Sequence, residues 1–409
     1  MTDVAEATRV GGNGTVPRPS LAERDRRHAA LRAAMARDNL DALILSASTQ
    51  RWAQMMADSR WTTAIGSFET EVFTVVPREG EITAFVYNRA DWWKKSVDWI
   101  SDVRDGRNDW AKNAIERLTE LRLPAKARIG VAGLSGLSRA PSGTVTWAMV
   151  DAVAKAFSGA EIVNATGLMQ ELRSIKSDEE VEFLARSASI VEKMIAACAD
   201  MARPGVREKQ LYAGMTATLL EEDGELPNFL LFATGPGLAR SSFVPTNRVL
   251  DVGDRIINEI EAKYGGYGAQ SVAPMILGKA PASFRDATAL AAECFEAVLG
   301  IMKPGVTFGE LQQVYEGIVA KSGGGRYGTG FPMLHARGLG DDGPALLDKK
   351  DLETFKKIPL QKGMTFILKP RVIENGGAKE RVNIGDTVAV TANGARRLGK
   401  RPLKLIEIG

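Results

Sequence analysis

The sequence predicts an α/β N-terminal domain followed by an α+β domain that contains two copies of one ααββ unit. Three observations predict it. Strand-like and helix-like segments alternate from Leu21 to about Thr166. A layout of helix, Pro-Gly-Val turn, second helix and Gly end occurs twice, in ADMARPGVREKQLYAGMTATLLEEDG and in LGIMKPGVTFGELQQVYEGIVAKSGG. A chain of 409 residues is also longer than one hydrophobic core usually serves.

In chain order, residues 1–20 are rich in Gly, Pro and small polar residues and read as a disordered tail. From Leu21 to Asn39 the spacing is helical, with Leu31 and Met35 on one face and His28 read as an ordinary surface residue. DALILSAS reads as a buried strand, RWAQMMA as a helical piece, and ETEVFTVVP and ITAFVY as paired strands. A Trp-rich helical stretch around Trp92, Trp93 and Trp99 follows, then the strand RIGVAG and the helix TVTWAMVDAVAKAF. These elements place the first domain at 21–166 and the second at 167–409. In the second, Ser177 followed by Glu180 has the capping-box spacing that starts a long helix, which stops before Pro204-Gly205.

Downstream of the two Pro-Gly-Val turns, VGDRIINEI and KGMTFILKP repeat as turn plus strand. Pairing Gly253 with Gly363 pairs Glu259 with Lys369. Two such copies pack about a pseudo-two-fold, so a site is expected on the pseudo-axis with Glu259 and Lys369 as neighbours.

Composition excludes several classes. With 53 basic and 50 acidic residues the net charge is +3, and no basic run with interleaved aromatics occurs, so neither nucleic acid nor an anionic membrane is an expected partner. Cys198 and Cys294 are the only cysteines, and no apolar run is long enough to span a bilayer. The expectation is a cytoplasmic protein acting on a small molecule.

The chemistry concentrates in few places. Glu259 and Glu261 share one face of a strand, and the Gly265-Gly266 turn returns the chain so that Gln270 lies beside them. The same pattern also fits two glutamates on the wet face of a sheet. The Gly-rich loop FPMLHARGLGDDGPALL holds His335, the one candidate acid/base histidine, with Arg337, Asp341 and Asp342. GMTFILKPRVI sets Lys369 and Arg371 two apart on one expected strand, a basic pair suited to a carboxylate-bearing substrate. FLLFATGPGLARSSF adds Phe232, Arg240 and Ser242 around a Gly-Pro-Gly loop, and no nucleophile-elbow pattern supports a catalytic serine there.

The chain also carries the landmarks SIKSDEEVEFLARSASI, ATGP, PTNRVLDVGDRI, YGGY, KPGVTFGEL, the His335 loop, QKGMTF and DTVAVTANG in that order. Together they resemble the creatinase, methionine aminopeptidase and Xaa-Pro peptidase superfamily. The resemblance implies the pita-bread fold for the C-terminal domain and a creatinase-type N-terminal domain before it. The family's metallopeptidases hold two metal ions with two Asp, one His and two Glu. Carried onto this chain, those positions are Glu259, Gln270, His335, Lys369 and Gly385. The family's two further histidines fall at Ser242 and Asp342. Only His335 is kept. Lys has no acceptor, Gln is neutral and Gly offers no ligand, so no metal and no cofactor is expected.

Creatinase resembles this chain in lacking metals, and it cleaves a C–N bond. The expectation is therefore a metal-independent hydrolase of a C–N or similar bond, with His335, Glu259, Glu261 and Lys369 as catalytic candidates. Gln270, Arg337, Asp342, Arg371, Arg240, Ser242, Phe232 and Arg60 are the expected substrate contacts. A lyase in the same pocket and a non-catalytic binding module are the alternatives. Creatinase-type proteins are homodimers whose N-terminal domain closes the partner's site. By that resemblance Arg51, Arg60, Trp61 and Phe68 lie in the closing loops.

Overall fold

A computed structural model describes residues 16–46, 56–67, 70–136, 142–227, 230–237, 244–328, 330–375 and 380–409. The chain divides into two compact units, Met1–Ser174 with Leu339–Asp342, and Ile175–Gly338 with Gly343–Gly409.

In the first unit, strands β1 (Ala42–Leu45), β2 (Val72–Pro77), β3 (Thr83–Val86), β4 (Asp102–Asp105), β5 (Arg128–Ala132) and β6 (Glu161–Asn164) form one sheet. Its order is β4-β3-β2-β1-β5-β6, and the β1–β5, β5–β6 and β3–β4 pairs are parallel. Among the described residues, the first six helices, α1 (Leu21–Arg37), α2 (Ala57–Thr63), α3 (Ala90–Ser96), α4 (Trp110–Glu120), α5 (Trp147–Ala156) and α6 (Thr166–Ser174), belong to the same unit. Alternate strand residues Ala42, Ile44, Phe73, Val75, Ile129 and Val131 cluster with Ala114, Leu118, Met149 and Val153 of α4 and α5. That is period-two burial meeting helical stripes. Helix α6 packs on β5, α1 and α2, so this unit runs to Ser174 rather than Thr166.

Two sequence expectations change here. Arg60 and Trp61 sit on α2 rather than in a loop and are buried, because α2 packs on β2 and the Arg27 guanidinium covers the Trp61 ring. His28 is half-buried rather than a surface residue, with Nε2 2.8 Å from the Thr62 carbonyl, and burial lowers its pKa.

The second unit opens with α7 (Asp178–Met201), capped by Ser177 and Glu180 in a reciprocal capping box. Helix α8 (Glu208–Glu221) and strands β7 (Leu231–Gly235), β8 (Arg255–Tyr264), β9 (Tyr267–Ser271) and β10 (Met275–Leu277) follow. The second copy comprises α9 (Ala282–Ile301), α10 (Phe308–Lys321), β11 (Tyr327–Gly328), β12 (Leu334–Ala336), β13 (Ala345–Leu346), α11 (Lys349–Phe355) and β14 (Thr365–Leu368). Strands β15 (Arg371–Glu374), β16 (Arg381–Asn383), β17 (Asp386–Val390), β18 (Ala395–Arg397) and β19 (Ile406–Ile408) complete it. The sheets are β19-β10-β8-β7 with β9 on β8, then β11-β15-β16, then β13-β12-β14-β17-β18.

The repeat is present in the backbone. Gly205 N donates to Leu250 O and Leu250 N to Val206 O; Gly305 N donates to Leu360 O and Leu360 N to Val306 O. Gly253 and Gly363 both adopt φ 88°, the left-handed turn glycine favours, just before β8 and β14. Equivalent strands therefore start at equivalent offsets, and Glu259 and Lys369 are structural counterparts.

Candidate functional site

Register builds the site. Glu259 lies opposite Leu231 across β7–β8, and Glu261 opposite Gln270 across β8–β9. Directly opposed residues share a sheet face, so Glu259, Glu261 and Gln270 face one way. Tyr264 pairs with Tyr267 around Gly265 and Gly266, both at positive φ, as the sequence predicts. Phe232 pairs with Asn258 and therefore faces the other way, buried in the core rather than in the site. In the second copy, His335 pairs with Ile367 and Ile367 with Thr387. Thr387 Oγ1 then ties the two copies together. It accepts from Gln270 N at 2.9 Å and donates to Gln270 O at 3.0 Å.

At the centre the Lys369 ammonium lies between the two copies. Nζ is 2.6 Å from Glu259 Oε2 and 2.9 Å from Gln270 Oε1. Because Lys is donor-only, Gln270 must present its oxygen and keep its Nε2 for something else. Glu259 is the more accessible member, its side chain 19% exposed against 4% for Lys369. Glu261, on the same face as Glu259, accepts from the Arg337 guanidinium rather than joining the Lys369 pair, and both side chains are buried. His335 is buried, with Nδ1 3.4 Å from the Ala336 carbonyl.

Arg371 does not share a strand with Lys369. Pro370 has no N–H for the ladder, so β14 ends at Leu368 and Arg371 starts β15 in a separate sheet. There it pairs directly with Asn383. Its Nε donates to Asn383 Oδ1 at 3.3 Å, and Asn383 Nδ2 donates to the Lys369 carbonyl at 3.2 Å. Burial, then the Arg381 charge, lowers the Arg371 pKa, while Glu259 acts the other way.

Asp342 is among the expected substrate contacts. It is instead buried in the first unit, accepting from Arg173 and from the Leu339 and Gly340 N–H groups. Arg173 also donates to Asp58 at 2.7 Å. Burial opposes the Arg173 cation, but Asp342 and Asp58 outweigh it and its pKa rises. Arg51, Phe68, Arg240 and Ser242 lie outside the described residues. A cavity of about 600 Å³ in the first unit, lined by Arg24, His28, Arg32, Lys94, Asp98 and Trp99 among others, contains none of the catalytic candidates.

Sequence reasoning missed three groups. Asn383 had no visible role until the Arg371–Asn383 register was known. Glu208 is buried and accepts from Thr234 N and Oγ1 and from Thr246 N and Oγ1 at 2.7–2.9 Å, tying the end of β7 to the Thr246 turn. Asp386, beside Gly385, has its pKa pushed up to about 7 by burial, against the opposing charges of Arg401 and Arg397. A polar residue inside an otherwise helical or strand pattern is the only sequence signal for either carboxylate.

The five positions that the resemblance equates with metal ligands do not fit a two-metal centre. A lysine ammonium stands beside Glu259 and Gln270 where a cation would need acceptors. A Cβ built on Gly385 would overlap the Lys369 Cβ and Cα and the Leu368 carbonyl, so a carboxylate side chain does not fit there without backbone movement. Among the described residues no group of three or more His, Cys, Asp or Glu is arranged to hold a metal ion.

Residues 182–392 match the metallopeptidase family M24, and residues 27–175 match the creatinase/prolidase N-terminal domain. The chain is 25% identical over 267 residues to an Xaa-Pro dipeptidase of Pyrococcus furiosus, covering 64% of this chain and 74% of that one. It is 27% identical over 315 residues to the agropine synthesis cyclase of Rhizobium rhizogenes, covering 73% and 76%. The X-Pro aminopeptidase structure from Thermotoga maritima superposes with a TM-score of 0.74 at 19% identity, covering 93% of this chain and 99% of that one. That likeness concerns the fold.

Proposed function

This chain belongs to metallopeptidase family M24, and we propose that it is a metal-independent enzyme acting on a C–N or similar bond of a small, carboxylate-bearing substrate. The observation that carries this is the Lys369 ammonium, lodged between Glu259 and Gln270. A fixed ammonium in a site shielded from water supplies positive charge to a developing oxyanion, the electrostatic part of acyl-transfer catalysis. His335 takes the proton from the attacking water, the tetrahedral species expels nitrogen, and the same proton passes to the leaving nitrogen. Glu259 pairs with the Lys369 ammonium, and the buried Arg337–Glu261 pair stiffens the strand that carries Glu259.

The cyclase relative favours a second reading, in which a nucleophile within the substrate replaces water and the product is a ring. His335 and Lys369 would keep the same roles, because the proton and oxyanion requirements are unchanged. The test is turnover of small N-acyl and cyclic amide carboxylates with and without chelator. Chelator-insensitive turnover, with kcat reduced roughly 10²–10⁴-fold in His335→Gln, is expected. Turnover restored only by added Mn²⁺, Co²⁺ or Zn²⁺ would refute the proposal.

A further inference from the structure

We infer that Arg371, set in place by Asn383, is the carboxylate anchor of this site, and that the Gln270 side-chain amide is the second donor, aimed at a carbonyl oxygen of the same ligand. This rests on the proposed reading of the site and names the residues that select its substrate. Three observations carry it. Arg371 is half-buried, and among the described residues no carboxylate pairs with it. Its one side-chain partner among the described residues is the neutral Asn383, bound through Nε, which leaves the two-nitrogen edge that matches a carboxylate bidentately. Gln270 Nε2 is buried, with no hydrogen-bond partner among the described residues, while its Oε1 is held by Lys369. Buried amide donors are nearly always satisfied, so one facing a ligand site implies an acceptor supplied by that ligand.

The two donors are fixed to the same residue from opposite ends. Gln270 engages Lys369 Nζ, and Asn383 engages the Lys369 backbone carbonyl while holding Arg371. A ligand that offers both a carboxylate and a nearby carbonyl oxygen satisfies both donors and brings its carbonyl carbon next to the ammonium. The favoured class is therefore a small amide carboxylate. A neutral amide lacks the group that Arg371 selects.

The test is calorimetric binding of N-acetylglycine and N-acetylglycinamide, which differ in the carboxylate and share the amide oxygen. The full-length protein is expected to prefer N-acetylglycine at least tenfold. Arg371→Met should abolish that preference with N-acetylglycinamide binding unchanged, and Arg371→Lys should keep part of it. Asn383→Ala should lower the preference without altering binding of the neutral amide, a pattern that general loosening of the strand would not give. Gln270→Leu should weaken both probes alike. Equal binding of the two probes by the unaltered protein, no measurable binding of N-acetylglycine, or a full preference in a folded Arg371→Met variant would overturn the inference. Loss of turnover with the preference intact would count against the proposed chemistry alone, and turnover without any preference against the anchor alone.

Discussion

Replacing Lys369 with methionine removes the charge while retaining most of the side-chain volume. Glu259 Oε2 then loses a partner at 2.6 Å, and Gln270 Oε1 loses a charged donor at 2.9 Å. Breaking a buried ion pair by deleting one member costs about 3–5 kcal/mol, because the remaining charge is left uncompensated. Glu259 retains some access to water, its side chain being 19% exposed, so the expected loss lies lower, at about 2–4 kcal/mol. For a unit of this size that corresponds to a fall in Tm of roughly 4–8 °C. Calorimetric melting of Lys369→Met, Glu259→Gln and the double variant measures it. The double variant should be more stable than the sum of the single losses predicts, by about 1–3 kcal/mol, since the second substitution removes the stranded charge. An unchanged Tm in Lys369→Met, or strict additivity, would refute the pairing as the element that organises the site.

Three further outcomes follow from the same geometry. Arg337→Met removes the guanidinium that Glu261 accepts from, and with both side chains buried the loss should reach about 3–5 kcal/mol, measurable by denaturant titration. Glu208→Gln leaves an amide nitrogen facing at least one N–H donor of Thr234 or Thr246, and should destabilise by about 1–3 kcal/mol in the same assay. Asp386 has a pKa raised to about 7 from 3.8, so the folded state binds more protons than the unfolded state between those values. Its favourable effect is fully present below about pH 4 and is lost as pH rises through about 7. Asp386→Asn should therefore gain stability relative to the unaltered protein as pH rises from 5 to 8, and parallel pH profiles would contradict this.

Much of the site was legible because strand period and repeat offset are geometric. Glu259, Glu261 and Gln270 share a face by alternation and hairpin register. The contact between Glu259 and Lys369 follows once Gly253 and Gly363 are recognised as counterparts. What remained hidden depends on which long-range partner wins a charge. Glu261 goes to Arg337 rather than to Lys369, and Asp342 to Arg173, a residue 169 positions away. Neither choice leaves a mark in local sequence. Arg371 was misplaced for a local reason, since Pro370 breaks the strand that spacing alone would continue. Phe232 faced the wrong way because an apolar run such as FLLFAT does not reveal which alternate residues point inward until its partner strand is known. The family likeness fixes the fold over nearly the whole chain, but the chemistry rests on the substituted positions, where family membership alone is least informative.

In the proposed chemistry a lysine ammonium, and not a pair of metal ions, provides the positive charge in this site. Titration of metal-stripped protein with Mn²⁺, Co²⁺ and Zn²⁺, followed by calorimetry and by metal analysis of the re-isolated protein, tests it most directly. No stoichiometric uptake and no rise in Tm are expected. Two ions held per chain, with binding abolished by Glu259→Gln or His335→Gln, would contradict it.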